Sequence, residues 1–125
     1  MVFDLASLSF AHEFTVIPKN SLAPGFGTVF ETWLSDHPIL TTAVVAGNCT
    51  DLCVYQLAMH LKLRANALNL RPLEVIVPAD CVDTYDLPAA IAAESGAFPH
   101  PGEFFHEVFL FHLGLNGVRV ARSLT

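Results

Sequence analysis

Residues 47–53 read Gly-Asn-Cys-Thr-Asp-Leu-Cys, set between the apolar run TTAVVA and the stretch VYQLAMHLKLR, which has helical patterning. Two of the chain's three cysteines therefore stand four residues apart where a strand hands over to a helix. Thr50 is placed as helix N-cap, Asp51 and Leu52 open the first turn, and Cys53 takes the third helical position. A thiol there meets the positive end of the helix dipole and unpaired backbone N–H groups, which favour thiolate over thiol. The same N–H groups are suited to holding the oxyanion formed when a nucleophile adds to a carbonyl.

Other chemistries compete for these residues. Cysteine is among the most often buried residue types, and inert packing is the ordinary fate of one near a strand end. Two thiols supply only half of a structural zinc set, and the six histidines are dispersed rather than paired at ligand spacing, so no metal is expected. A redox pair of Cys49 with Cys53 is opposed by the helix start, which separates their side chains. Cys81, within VPADCVDTYD, reads as a small core residue. His60 and His112 fall on helices as packed or surface residues. Lys19 ends an apolar run, where a lysine is either a solvated surface charge or part of a site.

The elements that must position these groups alternate between short β-rich runs and longer helical patterns. FTVIPK at 14–19 reads as a strand, halted by Pro18 and by the turn-rich NSLAPGFG. Thr28 caps VFETWLS, in which Val29, Phe30, Trp33 and Leu34 share a face. TTAVVAG at 41–47 and LEVIVPAD at 73–80 are apolar enough to be strands buried on both faces. Between them a helix aligns Val54, Leu57, Ala58 and Leu61 and frays before Pro72. DLPAAIAAES forms a helix with Pro88 in its first turn and Gly96 beyond its end. GEFFHEVFLFHLGLN forms another, with Phe105, Val108, Phe109 and His112 on one face and Gly114 or Gly117 as its stop. VRVARS supplies a last strand. Strands separated by helices imply an α/β fold: a three-layer α/β/α sandwich around a mainly parallel, Rossmann-like sheet. In such sheets sites gather beyond the carboxyl ends of the strands, where GNCTDLC lies.

The chain has 125 residues, the size of one domain, and 53% of them are apolar against 14% charged. A net charge of −6 with six scattered Lys and Arg leaves no basic stripe for nucleic acid or an anionic membrane. The apolar runs are too short to span a bilayer, and no leader pattern follows Met1. Three cysteines form no disulfide framework, which points to reduced thiols and a cytoplasmic protein.

The stretch AVVAGNCTDLCVYQLAMHLKLRANALNLRPLEVIVPADCVDTYD resembles the central signature of the isochorismatase-like cysteine hydrolases, the superfamily that includes nicotinamidases and N-carbamoylsarcosine amidase. Gly47, Thr50, Asp51, Cys53 and Val54 match its strand–Gly–Thr-Asp–Cys-Val pattern. VIPKNSLAPGFGTVFETWL is similar to an upstream block in which a strand ends in lysine, and Lys19, Phe26 and Thr28 fit it. The resemblance implies that Cys53 attacks a carbonyl or enol-ether carbon, with Lys19 beside it holding the thiolate. It further implies an oxyanion hole from the backbone N–H groups of Cys49 and Cys53, and a cis peptide between Asn48 and Cys49. Implied with these is hydrolysis of a small amide, carbamoyl or vinyl-ether substrate, so the expected partner is a small molecule and no cofactor is expected. Lack of the family's central first strand leaves open a rearranged sheet, pairing with another chain as a homo-oligomer, or a fragment of a longer product.

Members of the superfamily carry a preceding segment with two strands, a general-base aspartate and the metal ligands of nicotinamidases. No counterpart to it is found here. Asp4 stands 15 positions before Lys19, too few for the strand, helix and strand that normally intervene. The resemblance therefore leaves a second reading: a truncated, catalytically inactive member that binds a small molecule or a partner chain.

Overall fold

The computed structural model describes residues 3–70 and 73–124. The elements are α1 (Phe3–Ala6), α2 (Phe30–Ser35), β1 (Thr42–Val44), β2 (Gly47–Asn48), α3 (Tyr55–Ala67), β3 (Glu74–Pro78), β4 (Val82–Asp83), α4 (Ala89–Ser95), α5 (Gly102–Leu115) and β5 (Arg119–Ala121). All pairings between these strands are parallel. β3 lies between β1 and β5, and beyond it β2 pairs with β4 in a second, two-stranded ladder. Parallel neighbours need a crossover, and α3 and α5 provide it on the way from β1 to β3 and from β3 to β5.

The expected α/β architecture is present, and its centre is β3. Val75, Ile76, Val77 and Pro78 are all buried, so both faces of this strand are covered. The core joins Val75 and Val77 to Val54, Ala58 and Leu61 of the cysteine-bearing helix and to Leu113 and Val118 of the last helix and its exit. α4 ends where Gly96 adopts φ +67°, the left-handed stop expected there, while Pro88 precedes the helix as its cap residue rather than sitting in its first turn. α3 ends at Ala67 as anticipated, and the proline signal at Pro72 lies outside the described residues.

Four expectations are corrected. Phe14–Lys19 forms no strand: the segment is β-prone in sequence but makes no ladder hydrogen bonds, and strand character exists only through a partner. β1 is not buried on all sides. It pairs with β3 alone, and Val44 stays 48% exposed. Val29 precedes α2 as its cap residue and is exposed, while Phe30, Trp33 and Leu34 of the helix face inward. α5 is rotated from the expected face, with Gly102 and Leu113 buried, Phe105, His106, Phe109 and Leu110 partly so, and Val108 and His112 turned to solvent. Phenylalanine occurs on both sides of this helix, so apolar periodicity alone does not select the inner one.

Candidate active site

The turn that follows β2 is built differently from an ordinary helix start. Gly47 has φ +131°, a backbone conformation that favours glycine, and the next peptide bond but one, Asn48–Cys49, is cis. Residues Thr50–Val54 then form a single π turn, closed by the Val54 N–H donating to the Cys49 carbonyl at 3.1 Å, before α3 takes over at Tyr55. Cys49, not Thr50, is the cap residue. The Thr50 side chain is fully buried and its hydroxyl pairs with His106 Nδ1 of α5 at 2.8 Å. The capping role predicted for Thr50 is therefore replaced by a tertiary hydrogen bond.

Cys53, one residue before the end of the π turn, is half-buried, and its sulfur accepts a hydrogen bond from Lys19 Nζ at 3.5 Å. The same ammonium donates to the Ser21 carbonyl at 2.9 Å. Ser21 is itself held by reciprocal bonds with the backbone of Ala23, so a short loop fixes where Lys19 ends. Thr28 helps close this region: its hydroxyl bonds the Pro24 carbonyl and accepts the Phe30 N–H, which starts α2. The loop, the π turn and α2 surround a cavity of about 290 Å³. Its walls are mainly apolar, with Ile17, Leu22, Phe30 and Leu57 among them, and Lys19, Asn48 and Cys53 provide polar groups. That combination suits a small, largely apolar ligand held by a few polar contacts.

No carboxylate lines this cavity or hydrogen-bonds the Cys53 sulfur among the described residues. Asp4 lies in α1, exposed, its carbonyl bonded by the Ser7 hydroxyl. Asp51 is buried but is engaged elsewhere. Its carboxylate accepts the Thr84 hydroxyl at 2.5 Å and His100 Nε2 at 2.7 Å, and His100 Nδ1 pairs with the Tyr85 carbonyl at 2.8 Å. The imidazole is stacked between Tyr85 and Phe105, with ring centroids 3.9 and 4.4 Å away. Burial pushes the Asp51 carboxyl upward, but the bonds from Thr84 and His100 outweigh it and hold the group below its ordinary value. Desolvation pulls His100 down, and the bonds to Asp51 and to the Tyr85 carbonyl more than reverse that. This ion pair ties the π turn to the segment between α4 and α5, while Thr84 ties it to the residues after β4. Sequence spacing did not reveal it, because His100 is 49 residues from Asp51.

The remaining candidates separate. All three cysteines are free. Cys81 is exposed rather than a core residue, and the hydrogen bond and negative charge of Asp80 raise its thiol pKa. It lies in a short 3-10 turn after β3, which turns its side chain outward. His60 bonds Glu31, joined by Arg64 at 2.8 Å, and the exposed His112 bonds Tyr55 at 2.9 Å, so both make surface side-chain bonds between helices. Among the described residues no group of three or more His, Cys, Asp or Glu side chains is arranged to hold a metal ion, and no helix is long and apolar enough to cross a membrane.

No protein-family profile matches the chain. The curated protein Nicotinamidase 1 of Arabidopsis thaliana is 33% identical over 99 residues, covering 78% of this chain and 40% of that protein. The crystal structure of a nicotinamidase from Staphylococcus aureus superposes with a TM-score of 0.59 at 24% identity, covering 86% of this chain and 53% of the other. A Burkholderia xenovorans structure assigned as an isochorismatase gives a TM-score of 0.62 at 21% identity, covering 93% and 51%. The chain thus spans about half the length, or less, of the proteins it matches. It shares its fold with a nicotinamidase and a structure assigned as an isochorismatase and, over most of its residues, is similar in sequence to a nicotinamidase, in line with the resemblance to the isochorismatase-like hydrolases read from its motifs.

Proposed function

We propose that this chain carries the nucleophilic half of a cysteine-dependent hydrolase acting on a small amide, with Cys53 as nucleophile and Lys19 as its electrostatic partner. The observation that carries the reading is the Lys19–Cys53 hydrogen bond at the mouth of a mainly apolar cavity. In the reaction, the Cys53 sulfur adds to the amide carbon, and the carbonyl electrons move to oxygen. The resulting oxyanion is met by the backbone N–H groups of Cys49 and Cys53 at the start of the cysteine-bearing turn. The C–N bond then breaks as the nitrogen takes a proton and leaves as ammonia or an amine. Water cleaves the thioester to the acid and restores the thiol. The ammonium of Lys19 stabilises negative charge on sulfur before attack and as the thioester is cleaved. Nicotinamide, on which the named relatives act, is the first amide to test. Carbamoyl and vinyl-ether compounds are further candidates. Free thiols fit a cytoplasmic setting.

A second reading has its own support. Among the described residues no carboxylate lines the cavity to act as general base beside Cys53, and general acid–base catalysis contributes about 10²- to 10⁴-fold. Under this reading the chain binds the amide and turns it over slowly or not at all.

One experiment separates the readings. The chain is incubated with nicotinamide, quenched in acid and weighed intact, while free acid is measured in solution. A nicotinoyl adduct on Cys53, absent in C53A, together with acid release supports the hydrolase. Protection of Cys53 from alkylation by nicotinamide, with neither adduct nor acid, supports the binding-only reading. Acid release that persists in C53A overturns the nucleophile assignment.

A further inference from the structure

Two walls of the cavity beside Cys53 come from one stretch of chain: Pro24 lies in the loop before α2, and Phe30 is the first residue of that helix. No ladder hydrogen bond holds this stretch, and the bonds of Thr28 to Pro24 and Phe30 are internal to it. A residue of α3 supports it from outside. His60 follows the wall residue Leu57 by three positions, so the two lie along one face of the helix. Its imidazole meets the stretch at three points. Nε2 bonds the Glu31 carboxylate, the ring lies 5.6 Å from that of Phe30 at a tilt of 50°, and the backbone of Gly25 rests against it. Arg64, one turn further along α3, holds the other Glu31 oxygen at 2.8 Å. The ring is therefore pinned in place, with 26% of the His60 side chain exposed.

The Gly25 contact is close enough to dictate the residue type. A methyl group built on Gly25 would stand 2.5 Å from His60 Cε1, 3.2 Å from Nδ1 and 3.4 Å from Nε2. Non-bonded carbons settle at ~3.5–4.0 Å, so any side chain here forces the loop or the ring to move. Gly25 is thus a glycine because the imidazole lies against it, not because of a left-handed φ, which Gly27 has and Gly25 lacks. We infer that His60 is a positioning residue for the Cys53 site: its imidazole seats the Pro24–Thr28 loop and the Phe30 ring, and so fixes the wall against which the apolar part of a substrate lies. The inference rests on the reading of that cavity as the substrate site. Lys19 is outside its reach, because Ser21 and Ala23 hold the ammonium upstream of Gly25. His60 therefore shapes the binding wall and leaves the thiol's own reactivity to Lys19.

Cys53 reports on this wall through its choice between iodoacetamide and iodoacetanilide, which differ by one phenyl ring. Site-resolved mass spectrometry gives the ratio of the two rates at Cys53 and, as an internal reference, at the exposed Cys81. In the wild-type chain the phenyl ring should find the apolar wall and raise the Cys53 ratio about tenfold above the Cys81 ratio. H60A should lose that preference while its Cys53 rate with iodoacetamide stays near the wild-type rate. G25A, which disturbs the contact from the opposite side, should lose it as well and provides the same test should H60A fold poorly. Urea denaturation then checks the seat itself: G25A should lower the unfolding midpoint in the wild-type background and have little effect in H60A, where the methyl group has room. A preference that survives in both H60A and G25A overturns the inference and leaves the reading of the cavity standing. A G25A cost that is equal in the two backgrounds overturns the His60 seat. Equal ratios at Cys53 and Cys81 in the wild-type chain overturn the substrate-site reading and this inference with it.

Discussion

The Lys19 ammonium stands 3.5 Å from the Cys53 sulfur, although 34 positions separate them in the chain. Neither belongs to a regular strand or α-helix: one ends a segment without ladder hydrogen bonds, the other sits in a π turn. Their meeting depends on the Ser21 loop and the Gly47–Cys49 turn, each fixed by its own backbone geometry.

Thiol reactivity should follow this contact rather than exposure. Brief iodoacetamide treatment near neutral pH, read by site-resolved mass spectrometry, is expected to label Cys53 ahead of the more exposed Cys81. Asp80 disfavours the Cys81 thiolate, so the gap should narrow as pH rises. K19M is expected to slow Cys53 labelling about tenfold, the loss of one charge-assisted hydrogen bond. Labelling of Cys81 first, or an unchanged rate in K19M, would remove the basis for assigning the pair a chemical role.

The Asp51–His100 pair should govern stability in a defined pH window. The lowered Asp51 carboxyl contributes stability above the unfolded carboxyl range, which is lost as acid titrates the folded group. The raised His100 contributes fully below the unfolded imidazole value of about 6.5 and loses its contribution as pH rises through the higher folded value. Urea denaturation of wild type and H100A is therefore expected to differ most between about pH 5 and 6.5. The difference there should be roughly 3 kcal/mol, the cost of breaking a buried pair, and should shrink toward pH 8. A gap that is constant across pH would mean that His100 acts only through its stacking on Tyr85 and Phe105.

T50V is nearly isosteric, yet it removes the hydroxyl that meets His106 from a position with no solvent exposure. The expected loss is about 1–2 kcal/mol of folding stability, measured by chemical denaturation. Cys53 labelling in this variant reports whether the α5 anchor also holds the π turn in place.

G47A tests the turn itself. A Cβ at Gly47 meets nothing within 4 Å, so any cost comes from the backbone angle of +131° rather than from crowding. A loss of about 1–3 kcal/mol is expected, together with slower Cys53 alkylation. A variant as stable and as reactive as wild type would show that the turn tolerates relaxation.

The sequence by itself determined the parallel α/β class, the order of its main strands and helices, and the places where chemistry-bearing residues gather. Those follow from local signals: β-rich runs at 42–44 and 74–78, a helical stripe through Val54, Ala58 and Leu61, a glycine stop at Gly96, and a dense group of polar atoms at a strand's carboxyl end. Tertiary structure decided what local signals leave degenerate. The 14–19 run has the composition of a strand, but strand character needs a hydrogen-bonded neighbour, and none is formed. α5 has phenylalanines on both sides, so only packing against the π turn and β5 selects which side is buried. Thr50 carries a hydroxyl suited to capping a helix, yet that hydroxyl bonds His106, 56 residues away. Asp51 looked like one more first-turn acid until folding brought His100 against it. Each of these outcomes turns on a partner distant in sequence, and local propensity carries no information about such partners.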